Sequence, residues 1–332
     1  MPGSAARPGA PAPAGPSPAR SAGPPGSPAA GPAHRLELVL LAVAIAGISL
    51  SGPLVTAIAA PALAVAFWRN AMAVAGLAPV VLAAARLRRE LRRIGRRELL
   101  LALAAGVSLA VHFACWIPSL RLTSVASSVA LVTTTPIWVT LILRLRGHRP
   151  PARVWLGTAV AFGGVLLLTG VDFSLSARAL AGDALALAGG LTAAVYVLIG
   201  AEARRTLTTT GYTFVCYSAT AVLLLGLCLA TGSALGGYSG ETWLKLLLLS
   251  ATAQVLGHSL LNRVVRGLGP SVTSTAILLE TPAAALIAWA WLGQTPPALA
   301  LPALAVIMLG LLVVIRGERA PRPAPPPVAG SA

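Results

Sequence analysis

The sequence predicts an all-α integral membrane protein in which ten transmembrane helices form two inverted five-helix repeats, and three observations carry that expectation. The 332 residues are 56% hydrophobic and 10% charged, with a mean hydropathy of +0.82, so most of the chain cannot face water and a single soluble domain is excluded. Apolar segments of about 20 residues recur, the length a helix needs to cross roughly 30 Å of hydrocarbon. Displaced by 146 residues, the second half falls on the first without a gap, with 14 identities in the 59 positions from 112 to 170. The uncommon matches carry the weight: His112 meets His258, Thr135-Pro136 meets Thr281-Pro282, Gly147 meets Gly293, Pro150-Pro151-Ala152 meets Pro296-Pro297-Ala298, and Gly164 meets Gly310.

Residues 1–34 are rich in Pro, Ala, Gly and Ser and lack an apolar run, so they read as a disordered tail rather than a signal peptide. Residues 321–332 read the same way. Between the tails the expected spans are 38–57, 63–84, 99–118, 125–145 and 153–171 in a first repeat (36–171). A second repeat (181–316) holds spans at 181–200, 212–231, 242–261, 271–291 and 298–316. Short connections carrying Gly or Pro separate them, as at Gly147 to Pro151 and Gly293 to Pro297. Five spans is an odd number, so the second copy enters the membrane from the opposite side to the first, an architecture common among secondary transporters.

The net charge of +16 follows the same topology. Arg86, Arg88, Arg89, Arg92, Arg93, Arg96 and Arg97 fill the loop after span two. Arg144, Arg146, Arg149 and Arg153 follow span four, Arg204 and Arg205 span six, and Arg263 and Arg266 span eight. The alternate loops hold Arg121 and Arg178 with the acids Asp172, Asp183 and Glu241. The positive-inside rule then places the even loops and both termini in the cytoplasm, in a multi-pass protein of the cell (plasma or inner) membrane. The arginine run has no interleaved aromatics, so it argues for anionic lipid and against nucleic acid. Cys115, Cys216 and Cys228 lie inside spans without metal-ligand spacing and read as packing residues. No metal, cofactor or catalytic residue is expected, and no phosphate-binding loop points to ATP.

The residues around these features resemble a known family, the EamA branch of the drug/metabolite transporter superfamily, over about 36–317. The resemblance rests on Ala66-Phe67-Trp68-Arg69 in span two, His112 to Trp116 with Leu120, Thr123 to Ser128 and the Thr-Pro of span four. It continues through Gly182-Asp183, Gly257-His258-Ser259 with Asn262, and Leu279-Glu280-Thr281-Pro282. What it implies is a carrier with two inverted halves, a central cavity, cytoplasmic termini and alternating access. Where the family often has a Gly-Glu pair after spans four and nine, this chain has Gly147-His148 and Gly293-Gln294, so no transport role is carried over to those positions.

Ionisable groups deep in a span cost about 2.5–3.5 kcal/mol on insertion scales and usually face protein or water. Glu280, the acid nearest the middle of a span, is the first candidate, to bind a substrate amine or exchange a proton for substrate; the competing reading is a structural acid. Arg69 either meets a substrate carboxylate or ties helices together, and the resemblance favours the second role. His112 with Trp116, and His258 with Asn262, are pairs four residues apart that share a helix face. With Ser128 and Thr134 they supply polar groups for a midplane cavity, although small hydroxyl residues also serve as helix glue. Trp68 joins the candidate lining, and Tyr196 does so on resemblance. Pro136 and Pro282 are the expected helix breaks.

These residues suggest a secondary transporter, an exporter of small organic metabolites or drugs, amino acids among them. The alternatives are a membrane sensor or assembly protein, and an intramembrane enzyme, which would need a nucleophile, base and orienting group that do not converge here. The lipid bilayer and a small-molecule substrate are the expected partners, with no nucleic acid. Proton coupling and a homodimer are carried forward as open candidates, while substrate, direction and oligomeric state stay undecided by sequence.

Overall fold

A chain in hydrocarbon must satisfy its backbone polar groups within each segment, which favours helix. The computed structural model describes residues 32–123, 125–169, 176–293 and 300–319, and among the described residues there is helix, turn and bend but no strand. The tail residues 1–31 and 320–332 lie outside the described residues. Helix α1 (Pro32–Ser49) begins inside the last positions of the expected tail. It is separated at Leu50 from α2 (Ser51–Ala57), and Pro53 sits in the first turn of α2, where its missing N–H costs no hydrogen bond. Next come α3 (Ala62–Ala83), the short basic α4 (Ala85–Arg92), α5 (Arg96–Ser119), α6 (Val125–Val132), α7 (Thr135–Leu145) and α8 (Ala152–Thr169). None of α4 is buried. Its Glu90 accepts hydrogen bonds from the Thr208 backbone N–H (2.8 Å) and hydroxyl (2.9 Å), which fastens this surface helix to the start of α10.

The second half runs through α9 (Ala177–Ala203), α10 (Thr209–Ala230) and α11 (Gly240–Leu249), which continues through a π-helical segment, Ser250–His258, into α12 (Ser259–Ala276). Inside α12 the chain turns at Gly269 (φ 80°, ψ 164°), a conformation open to glycine and almost no other residue, directly before Pro270. A 3₁₀ turn, Ile277–Leu279, leads into α13 (Glu280–Leu292), and α14 (Ala300–Arg319) completes the helices. Among the described residues, seven segments are long and apolar enough to cross a membrane. One of them, Gly240–Trp291, extends over 52 residues and contains the Gly269 bend, while Ala152–Leu167 and Ala305–Gly317 are shorter apolar helices. Leu82, Leu145, Val222, Leu229 and Trp289 point outward, an apolar exterior that suits lipid.

The packing follows the repeat. α8 lies on α14, α3 on α10, α5 on α9, and α1 on the π segment and α12. Exchanging the halves returns the first two pairs to themselves and turns α5–α9 into the contact of α1 with the π segment. The α8–α14 crossing shows the same symmetry in detail. A Cβ added at Gly310 would lie 2.6 Å from the Gly157 carbonyl oxygen, and one at Gly164 would lie 3.0 Å from that of Ala303. Gly164 with Gly310, and Gly157 with Ala303, are repeat-mates, so the two contacts are copies of one. Small residues let the helix backbones approach this closely, and dispersion then holds them.

Candidate functional site

Two interrupted helices meet at the centre. The α6–α7 stretch breaks between Val132 and Thr135, and its partner in the other half is interrupted by the 3₁₀ turn before Glu280. Pro136 is the second residue of α7 and Pro282 the third of α13. A proline in a first turn removes an N–H that has no intrahelical acceptor, so each restarts a helix rather than distorting one. The hydroxyls of Thr133 and Thr281, one beside each break, are 3.3 Å apart.

Around this junction lies a cavity. Thr133 and Thr135 line it from the first break, and Thr273, Ile277 and Glu280 from the second. Leu109, His112 and Trp116 come from α5, Tyr196 and Val197 from α9, and His258, Leu261 and Asn262 from the π segment and α12, with Ser51 from α2. Six residues singled out from sequence are therefore brought together: Glu280, His112, Trp116, His258, Asn262 and Tyr196. The two histidines enter one cavity from opposite halves, as their relation in the repeat requires.

Their settings differ. His112 Nδ1 is 2.9 Å from the Gly189 carbonyl; since a carbonyl can only accept, this nitrogen carries the proton. Its ring stacks on Trp116 at 5.8 Å and 17°. The Trp116 indole N–H is buried without an acceptor among the described residues. His258 meets the rings of Phe113 (5.6 Å) and Tyr196 (6.5 Å) edge-on. Glu280 is 7% exposed. Among the described residues no protein hydrogen bond or ion pair occupies its carboxyl.

Arg69, Trp68, Thr134 and Ser128 are not among the lining residues. The Ser128 hydroxyl lies 2.6 Å from that of Ser119. Thr134 accepts from the Trp138 indole (3.0 Å) and donates to the Leu131 carbonyl (2.7 Å). Trp68 donates to the Leu235 carbonyl and stands edge-on to Trp243. Each hydrogen-bonds at a helix end, a helix contact or a loop, which amphipathic spacing does not reveal. Arg69 is fully buried one side chain behind the lining. Its Nε donates to Gln254 Oε1 (3.0 Å), its Nη1 to the cavity residue Ser51 (3.2 Å), and its guanidinium carbon sits 4.1 Å from the centre of the Phe113 ring. Gln254 in turn donates to Asn70 Oδ1 at 2.9 Å.

Gln254 and Arg204 were missed by the sequence reading. Gln254 could have been found, since it precedes His258 by the same four residues that separate His258 from Asn262. Arg204, placed above in the loop after span six, does follow α9 but is 1% exposed. It caps the C-terminal end of α9 and donates Nη1 to Asn262 Oδ1 (2.9 Å). That same oxygen accepts from the Tyr196 hydroxyl at 2.8 Å.

The Arg69 cluster predicts a structural response. Arg69→Lys keeps the charge but cannot reproduce a planar fork on Gln254, Ser51 and Phe113. Each hydrogen bond to the charged group left unmade costs about 1.5–3 kcal/mol. The variant should lose its monodisperse peak in detergent or unfold at a clearly lower temperature. A wild-type unfolding midpoint would show that the cluster does not hold the fold.

With this geometry in view, comparison with known proteins places the chain. A family model described as the EamA-like transporter family matches residues 36–170 and again 180–316. No curated protein matches the chain. One crystal structure is 18% identical, in a match that covers 86% of this chain and 99% of that one, and superposes with a TM-score of 0.66, a likeness of fold. The two matched stretches coincide with the halves that share the central cavity, and together they span most of the sequence: the chain belongs to the EamA-like transporter family.

Proposed function

We propose that this multi-pass membrane protein is a secondary carrier that exports a small organic solute by alternating access. In this reading ten crossing segments form two inverted halves, 36–171 and 181–316, and both termini face the cytoplasm of the cell membrane, as the arginine-rich even loops require. The carrying observation is that interrupted helices from both halves meet at one cavity and deliver Glu280 to it with its carboxyl unoccupied. Broken helices leave backbone groups free to meet polar solutes at mid-membrane. The symmetric contacts of α3 with α10 and α8 with α14 supply two interfaces across which the halves rock. Glu280 takes either the amine of the solute or a proton exchanged for it.

The test is flux of a mixed metabolite panel, amino acids included, into proteoliposomes with and without an imposed pH gradient. Saturable flux above that of protein-free vesicles, steepened by the gradient, is the expected result. Absence of saturable flux across a broad panel would overturn the carrier reading in favour of a sensor.

A further inference from the structure

Two buried guanidiniums flank the cavity, and among the described residues one carboxyl, Glu280, lines it. Gln254, His258 and Asn262 recur at four-residue spacing along the π segment and α12. The first holds Arg69, the second enters the cavity, and the third holds Arg204. Among the described residues neither guanidinium is in an ion pair.

The Arg204 neighbourhood is a collection of donors. Its Nε and Nη2, the Asn262 amide nitrogen and the Tyr212 hydroxyl are all buried without a partner among the described residues. The guanidinium carbon stands 4.6 Å from the centre of the Tyr212 ring. Among the described residues no carboxylate lies within ion-pair distance: Glu202, two residues away, is partly exposed and pairs with Arg97 (2.6 Å) and Arg205 (3.2 Å). The C-terminal end of α9 offsets part of the positive charge, but its carbonyls do not accept from Nε or Nη2. Buried charges are ordinarily paired, and several unpaired donors around one guanidinium with a single acceptor, Asn262 Oδ1, suit an oxyanion. Asn262 connects this cluster to the cavity it lines.

We propose that Arg204, Asn262 and Tyr212 form an oxyanion receptor at the end of the cavity where α9 ends and α10 begins, and that the solute carries a carboxylate or phosphate group received there. The inference rests on the carrier reading and narrows its substrate class. An oxyanion displaces Asn262 Oδ1 as the acceptor for Arg204, takes the Asn262 amide N–H as well, and matches the planar guanidinium fork. In the orientation proposed above, this end faces the cytoplasm, the side from which an exporter loads.

The experiment follows thermal unfolding of the full chain in detergent with four solutes on one skeleton: 3-phenylpropionate, phenethyl phosphate, 3-phenylpropanamide and phenethylamine. A parallel set on a branched alkyl skeleton guards against a poor fit of the ring. One or both oxyanions should raise the midpoint, which also tells carboxylate from phosphate, and the amides should not. Arg204→Gln should weaken oxyanion binding by about tenfold to a hundredfold, with Arg204→Lys between the two. Asn262→Asp supplies a carboxylate to Arg204 in place, so it should keep the fold, unfold later without solute and lose the oxyanion response. Amides as effective as oxyanions, an Arg204→Gln protein that responds like wild type, or an Asn262→Asp protein that still binds oxyanions would each overturn the proposal. Flux on the same preparations separates the two readings. Saturable flux of amines alone leaves a carrier and removes the receptor; no saturable flux of any solute removes both.

Discussion

Glu280→Gln should lower gradient-driven flux by about tenfold to a hundredfold, the worth of one charged hydrogen bond or ion pair to a bound solute, while the protein remains folded. The substitution keeps the size and one carbonyl oxygen of the side chain but removes its ability to ionise. Because the wild-type carboxyl has no hydrogen-bond partner among the described residues, the amide breaks no internal contact. A structural acid would behave in the opposite way, with flux intact and the unfolding midpoint moved. The measurement is initial uptake at several imposed pH gradients, alongside unfolding in detergent. Wild-type rate and wild-type dependence on the gradient would remove Glu280 from the mechanism.

Gly310→Ala should destabilise the protein by about 1–3 kcal/mol, the usual cost of forcing atoms into a packed interface. The added Cβ would sit 2.4 Å from the Ala161 nitrogen and 2.6 Å from both the Ala161 Cβ and the Gly157 carbonyl oxygen. Two of these are backbone atoms, so the clash is relieved only by moving α8 and α14 apart, which forfeits contacts along the whole crossing. Gly226, inside α10 with nothing within 4 Å of an added Cβ, is the control. Its replacement by Ala should be neutral or slightly stabilising, because alanine favours helix. Thermal unfolding of both variants in detergent makes the comparison, and equal midpoints would show that the α8–α14 crossing is not held as described. A lowered midpoint at Gly310 accompanied by the same change at its repeat-mate Gly164 would show that the interface works symmetrically.

The repeat explains why part of the site could be read in advance. His112 and His258 were recognised as mates because imidazole is uncommon in a span and both stand at the same register, and two mates in inverted halves approach a common axis. Their neighbours four residues on, Trp116 and Asn262, followed from helical spacing. Pro136 and Pro282 marked the breaks because proline's missing N–H is a property of the residue wherever it sits. Arg69 was legible as buried but not as the partner of Gln254, a residue 185 positions away. Arg204 was placed correctly after span six, but its burial was not legible, since an arginine beside a second arginine at the end of a span has the sequence signature of an exposed loop.

The sequence by itself determined what depends on local chemistry and periodicity: a helical chain built for hydrocarbon, duplicated, interrupted at two Thr-Pro sites, with Glu280 beside one of them. The tertiary structure alone decided which polar groups share a space. The hydroxyls of Thr133 and Thr134 both close a helix turn, on Ala130 and Leu131, yet only Thr133 also lines the cavity, and one residue of rotation about the helix axis separates the outcomes. Whether an arginine at a helix end points to water or inward depends on what the neighbouring helices place above it; here Asn262 and the Tyr212 ring hold Arg204 inside. Spacing along a chain carries the first kind of information and cannot carry the second, because burial and pairing are set by segments far apart in sequence.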